Sequence, residues 1–181
     1  MIFAVLICFN PIIMKIPHFF QKPLLPAVLL SLFFLPSCDL SSDIEDRQLN
    51  EKLQIQDFLS DNDTLHFELK TSGLYYLDYV PGTGPQAETH DTAYIYYAMH
   101  LLNRSLVESN FDTSDTLIKP VNEGKLIPGF DEALTYMKEG GTSLIVVPSK
   151  LAYGEQGNYY ISPYTPFIFQ INLVKLDKHI E

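Results

Sequence analysis

The side chains able to make and break bonds are few in this chain and poorly placed for it. His66, His90, His100 and His179 stand at spacings that match no metal-ligand pattern. No glycine-rich phosphate loop follows a strand-like run, and Gly82-Thr-Gly84 after Pro81 reads as a turn. The two cysteines, Cys8 and Cys38, lie within or at the edge of an apolar N-terminal segment, so no disulfide or thiolate centre can hold the remainder together. No metal and no cofactor are therefore expected. What remains is a set of aromatic and aliphatic residues in short ordered motifs, suited to an apolar pocket that acts by binding.

Four segments carry those motifs. The densest is Lys125-Leu-Ile-Pro-Gly-Phe-Asp-Glu-Ala-Leu-Thr-Tyr-Met-Lys-Glu-Gly-Gly141, followed by Val147-Pro-Ser-Lys-Leu-Ala-Tyr-Gly154. Upstream stands Asn110-Phe-Asp-Thr-Ser114, and Phe167-Ile-Phe-Gln-Ile-Asn-Leu-Val174 closes the set. In this order, from about Ser72 to Leu176, they resemble the FKBP-type peptidyl-prolyl cis-trans isomerases, whose segments read "VIPGWDEGL…MKVGG", "IPSxLAYG", "xFDSS" and "LVFEVELL".

The resemblance implies an α+β fold, a five- to six-stranded antiparallel sheet wrapped around one short helix. It also implies a site. Tyr97 matches the first pocket tyrosine, Phe111 and Asp112 the Phe-Asp pair of the wall, and Leu126 and Ile127 the pair whose backbone binds substrate. Phe130 stands where the family usually has the tryptophan of the pocket floor. Tyr153 matches the tyrosine of the Ala-Tyr-Gly loop, Ile161 an apolar flap residue and Phe169 the aromatic of the last strand. Phe130, Ile127 and Phe169 would be buried in any α+β core, Asp112 could cap a turn and Tyr153 could sit in a surface turn; the motifs favour the pocket for each. The implied activity is rotation about X-Pro bonds in polypeptide substrates, with selectivity coming from the residue before proline against an apolar rim.

The chain departs from the family pattern at three places. Tyr97-Ala98-Met99 replaces Tyr-Thr-Gly, Leu117-Ile-Lys-Pro-Val121 lacks a wall phenylalanine, and the flap Gly157-Asn-Tyr-Tyr-Ile-Ser-Pro163 carries bulky Tyr159 and Tyr160. These changes keep open a catalytically weak peptide-binding module, or an accessory lipoprotein of an envelope machine such as one for gliding.

The elements that must position these residues follow from hydrophobic period. Leu65, Phe67 and Leu69 alternate, and residues 74–80 form a tyrosine-rich run closed by Pro81-Gly, so two strands are expected. Ile95, Tyr97, Met99 and Leu101 share one face of a strand over 92–102, and residues 144–147 and 167–176 supply further strands. Phe130, Ala133, Leu134 and Met137 recur at helical spacing over 128–139, with Gly140-Gly141 as the stop. A second, amphipathic helix is expected over 44–59, where Leu49, Leu53, Ile55, Phe58 and Leu59 recur.

A chain of 181 residues, 46% of them apolar, holds one domain with added segments. All 22 acidic residues follow Cys38, while Lys15 and Lys22 of the 12 basic ones precede it. That balance, without a Lys/Arg cluster, argues against nucleic acid. Residues 24–35 are almost wholly apolar and short of the roughly 20 residues of a membrane span. They end in Leu35-Pro-Ser-Cys38, which resembles a bacterial lipobox; the alternatives are a spanning helix and an ordinary cleaved signal. The resemblance implies a lipoprotein signal peptide over 1–37, with Met1 and Met14 as two candidate starts, and lipidation of Cys38. Residues 38–71 would then be an acidic tether and short helix, and 72–181 the isomerase domain. The acidic stretch after Cys38 resembles the tethers of surface lipoproteins in Bacteroidetes-like bacteria, so the expected location is the cell envelope, anchored by lipid to the outer membrane on its periplasmic or surface face.

Overall fold

The structure is a computed structural model that describes residues 40–180. Cys38 and the apolar segment before it lie outside the described residues. The described residues form one compact unit. Its elements are α1 (Leu40–Asp61), β1 (Glu68–Leu69), β2 (Tyr75–Val80), β3 (Thr92–Leu101), β4 (Leu106–Ser109), β5 (Leu117–Pro120), α2 (Pro128–Tyr136), β6 (Thr142–Val147) and β7 (Phe167–Asp177).

All strand pairs are antiparallel, in the order β1-β2-β6-β7-β3-β4. β5 pairs with β3 as well: it lies along residues 92–95 while β4 lies along 98–100, so the two are successive pieces of one edge position. The expected sheet width is therefore met, with the edge strand split. Both pieces lack the apolar alternation that marks β3 and β7, because an edge strand buries little of its surface.

In β7 the alternate residues Phe167, Phe169, Ile171 and Leu173 are buried, and in β3 Ala93, Ile95 and Met99 are. These side chains share one core with Leu134 and Met137 of α2 and with Ile145 of β6. The sheet curls around α2 because that helix presents a short apolar stripe, Phe130, Ala133, Leu134. Gly129 permits the close approach: a Cβ there would lie 2.6 Å from Val147 Cγ1.

α2 ends at Tyr136, three residues before the expected limit. Met137 is already extended, and its carbonyl accepts the Ala87 N–H at 3.0 Å and the Gln86 side-chain amide at 3.0 Å. Lys138 then bridges to Gln86. Gly82 packs against the same turn, where a Cβ would meet the Lys138 carbonyl oxygen at 2.3 Å. Tertiary pairing thus ends the helix before Gly140 is reached.

α1 is longer than expected and takes in the stretch read as a tether, with Asp43 in its first turn, where the helix dipole favours an acid. Ile55 is 5% exposed while Leu49 and Leu53 are 55% and 46% exposed. At 100° per residue these leucines fall on the side opposite Ile55 and Phe58. The helix is tied down by Glu51, whose carboxylate accepts the Ser149 backbone N–H and, at 2.7 Å, its hydroxyl. The expected strand around Leu65 to Leu69 shrinks to Glu68–Leu69, because Leu65 and Phe67 make local turn bonds to Asn62 and Leu65 carbonyls.

At the far end of the sheet, Asp91 is 1% exposed and accepts bonds from Lys178 Nζ and from the Glu88 and His179 N–H groups. Burial alone would raise its pKa, but these bonds outweigh burial and hold it below the usual carboxylate range. Lys178 and His179 are thereby fastened to the start of β3.

Candidate active site

Phe130 enters the core from the first turn of α2. Ile127 precedes the helix in extended conformation and Pro128 begins it, as its fixed φ and missing N–H allow. Ile127's carbonyl accepts the Phe130 and Asp131 N–H groups at 3.0 Å each. Among the described residues, the Ile127 N–H makes no hydrogen bond and remains able to donate.

The Phe130 ring stands edge-on to Tyr97 at 5.8 Å and to Phe169 at 5.4 Å, with interplanar angles of 88° and 90°. Phe169 in turn tilts against Phe167 at 6.2 Å, and Tyr153 meets Phe167 edge-on at 5.6 Å. Edge-to-face pairs set the positive rim of one ring on the negative face of the next, which fixes the angle between them. Leu126, Ile127, Tyr153 and Ile161 are half-buried and pack on the same core. Seven of the nine pocket residues read from the motifs, Tyr97, Leu126, Ile127, Phe130, Tyr153, Ile161 and Phe169, therefore lie in or against the domain's hydrophobic core.

Phe111 and Asp112 do not. Phe111 stacks on Tyr96 at 6.1 Å, and Tyr96 faces away from Tyr97 because neighbours on a strand alternate sides. Asp112 is exposed. The reason is the register of β4, which pairs Glu108 with Met99 and Ser109 with Ala98. Beyond Ser109, the Asn110 side chain takes over the ladder, accepting the Tyr97 N–H at 2.7 Å and donating to the Ile95 carbonyl at 3.1 Å. Phe111 and Asp112 follow on the outward loop.

The acid that meets Tyr97 is instead Glu108, whose Oε1 accepts the Tyr97 hydroxyl at 2.6 Å. Glu108 and Val107 line a cavity of about 280 Å³ together with Met99, Tyr153, Asn158, Tyr160 and Ile161. Motif matching missed Glu108, because the Phe-Asp pair is present three and four residues later. The usable signal was hairpin spacing, since β3 turns back after Leu101 and the first residues of the return lie opposite its end.

Burial pushes the Tyr97 hydroxyl's pKa well above its ordinary value, with the Glu108 bond adding to the effect. Burial and the same carboxylate also raise Tyr153. The Tyr97 proton is already given to Glu108. The flap beyond the cavity is built on Asn158, whose Oδ1 accepts the Tyr160 and Ile161 N–H groups at 2.8 Å each. Gly157, at φ +62, lets the flap fold back; a Cβ there would sit 2.2 Å from the Ile161 carbonyl oxygen. Met99 occupies the place where the family pattern has glycine, and its neighbour across the sheet is Phe169.

A larger cavity, about 370 Å³, lies between Phe58 of α1, Asn62 just past its end, and Leu144, Ile168 and Gln170 of the sheet. None of the aromatic cluster lines it. Among the described residues, no group of His, Cys, Asp and Glu could hold a metal ion.

The domain is thus a curled antiparallel sheet around one helix, with an aromatic cluster, two phenols and an open backbone N–H. Comparison with known proteins gives the family: residues 84–174 match the FKBP-type peptidyl-prolyl cis-trans isomerases, and this chain belongs to that family. It is 31% identical over 105 residues to the FK506-binding protein of Neisseria meningitidis serogroup B, covering 58% of this chain and 96% of that one. It is 28% identical over 137 residues to the FKBP-type isomerase FkpA of Buchnera aphidicola, covering 76% of this chain and 53% of that one. The chain thus spans about half the length of that FkpA. The crystal structure of FkpA from Escherichia coli superposes with a TM-score of 0.65 at 24% identity, over 76% of this chain and 62% of that one, a likeness of fold.

Proposed function

We propose that this chain accelerates rotation about X-Pro bonds in proline-containing polypeptides of the cell envelope, to which it is tethered by lipid on Cys38. The observation that carries the catalytic part is Phe130, held edge-on between Tyr97 and Phe169 beside the open Ile127 N–H.

Rotation about X-Pro breaks amide conjugation against a barrier of about 18–20 kcal/mol, and takes tens to hundreds of seconds uncatalysed. No nucleophile is needed. Catalysis requires that the twisted amide be held better than either planar isomer. The planar amide is the more charge-separated form, so surroundings of phenyl rings favour it less than the twisted one. Phe130, Phe169 and Tyr97 would clamp the proline ring, Ile127 N–H would donate to one substrate carbonyl, and the Tyr153 hydroxyl to another. Tyr97 is positioned by Glu108.

The soluble fragment from Cys38 onward is expected to speed cis-to-trans conversion of a tetrapeptide with an apolar residue before proline, measured by NMR exchange. A folded fragment with no detectable acceleration, yet binding the peptide, would replace catalysis by a peptide-binding role. The sequence Leu35-Pro-Ser-Cys38 supports the anchor. Several acyl chains, at about 0.8 kcal/mol per buried methylene, hold a protein stably at a bilayer. Cys38→Ala is expected to release the protein from the membrane fraction; retention would count for a spanning segment.

A further inference from the structure

The mouth of the pocket is less apolar than its floor. The cavity that opens beside the aromatic cluster is walled by Val107, Ile161 and Met99, but also by Glu108, Tyr153 and Tyr160. Glu108 is exposed, and only its Oε1 is engaged, by the Tyr97 hydroxyl. Among the described residues no Lys, Arg or His forms an ion pair with it. Its charge therefore acts on the cavity uncompensated, and is felt at both Tyr97 and Tyr153.

Next to it stand two tyrosines that the fold does not use. Tyr159 and Tyr160 are 93% and 88% exposed, with ring centroids 4.9 Å apart at 84°. The Asn158 bonds hold the backbone of this turn in place. The Tyr160 ring and the Glu108 carboxylate, which line the same cavity, are the usual elements for holding an organic cation, the ring through its quadrupole and the carboxylate through its charge. Neither element attracts an acidic side chain.

We infer that this mouth is a subsite for a basic side chain, Lys or Arg, next to the proline of the substrate. The inference rests on the isomerase reading and adds a preference to it. The chain's excess of 22 acidic over 12 basic residues steers basic segments to the protein in the same sense.

The test uses the full chain in detergent and two pairs of tetrapeptides, with Lys or its uncharged analogue norleucine immediately before or immediately after proline. In at least one pair, kcat/KM is expected to favour Lys by about three- to tenfold at low salt, the range for an exposed ion pair combined with an exposed cation–π contact. The ratio should fall toward one in Glu108→Gln and in Tyr160→Ala. It should also fall in about 1 M salt, where the screening length shrinks to about 3 Å. A ratio at or below one in both pairs, with the norleucine peptides turned over, overturns the subsite and leaves the isomerase reading standing. If no peptide is turned over, the isomerase reading fails, and binding of the same peptides, followed by NMR shifts, decides the subsite. Tighter binding of Lys that is lost in Glu108→Gln supports it, and equal binding overturns it.

Discussion

Replacing Phe130 by Leu is expected to lower kcat/KM on an X-Pro tetrapeptide by at least about tenfold, or about 1.4 kcal/mol of transition-state stabilisation, with the domain still folded. Phe130 is 3% exposed and holds the rings of Tyr97 and Phe169 at right angles to its own. Leu keeps the apolar character but loses both edge-to-face contacts, each contributing about 0.5–1.5 kcal/mol. Phe130→Ala is a poorer test, since emptying such a site costs about 3–5 kcal/mol out of the roughly 5–15 that hold a domain together. Rates by NMR exchange should be read beside a thermal melt of the same sample. Phe169→Leu should behave alike. Full activity in both folded variants would place the proline elsewhere.

The second large effect is expected at Asp131. This carboxylate is 5% exposed and accepts the Asn122 N–H through Oδ1 and the Gly124 N–H through Oδ2, both at 2.7 Å. Those two residues turn the chain with φ of +58 and +66, the left-handed region that costs a non-glycine residue such as Asn122 some energy. Asp131 thus holds the bend from which Leu126 and Ile127 run into the pocket. Hydrogen bonds to a charged acceptor contribute about 1.5–3 kcal/mol each, so losing both in Asp131→Ala should cost about 3–6 kcal/mol in urea unfolding. Asp131→Asn, which keeps one acceptor, should cost less. Activity should drop further than stability alone accounts for, because the Ile127 N–H is no longer held in place. A destabilisation below about 0.5 kcal/mol would mean that the bend stands without the carboxylate.

How much of this was legible beforehand differs from residue to residue. Phe130, Ile127, Tyr153 and Phe169 could be read because each lies inside a contiguous motif whose local geometry carries it to the cluster. Asp131 lies in the same motif, but its role was not legible, since its partners Asn122 and Gly124 are set by a turn that carries no apolar pattern. Among the weaker elements, α1 was read as shorter than it is because its acidic first residues resemble a solvated tether, and its burial depends on Glu51 finding Ser149, far away in the chain.

By itself, the sequence determined the apolar alternation of β3 and β7, the start of α2 at Pro128 and the aromatic composition of the pocket, all of which depend on neighbours a few residues apart. Only the tertiary structure decided which acid meets Tyr97. Phe111 and Asp112 match the motif, yet β4 pairs with β3 in a register that brings Glu108 there. Register is a collective property of two strands and their turn, and a shift of one residue sends every side chain to the other face. No single motif on one strand contains that information.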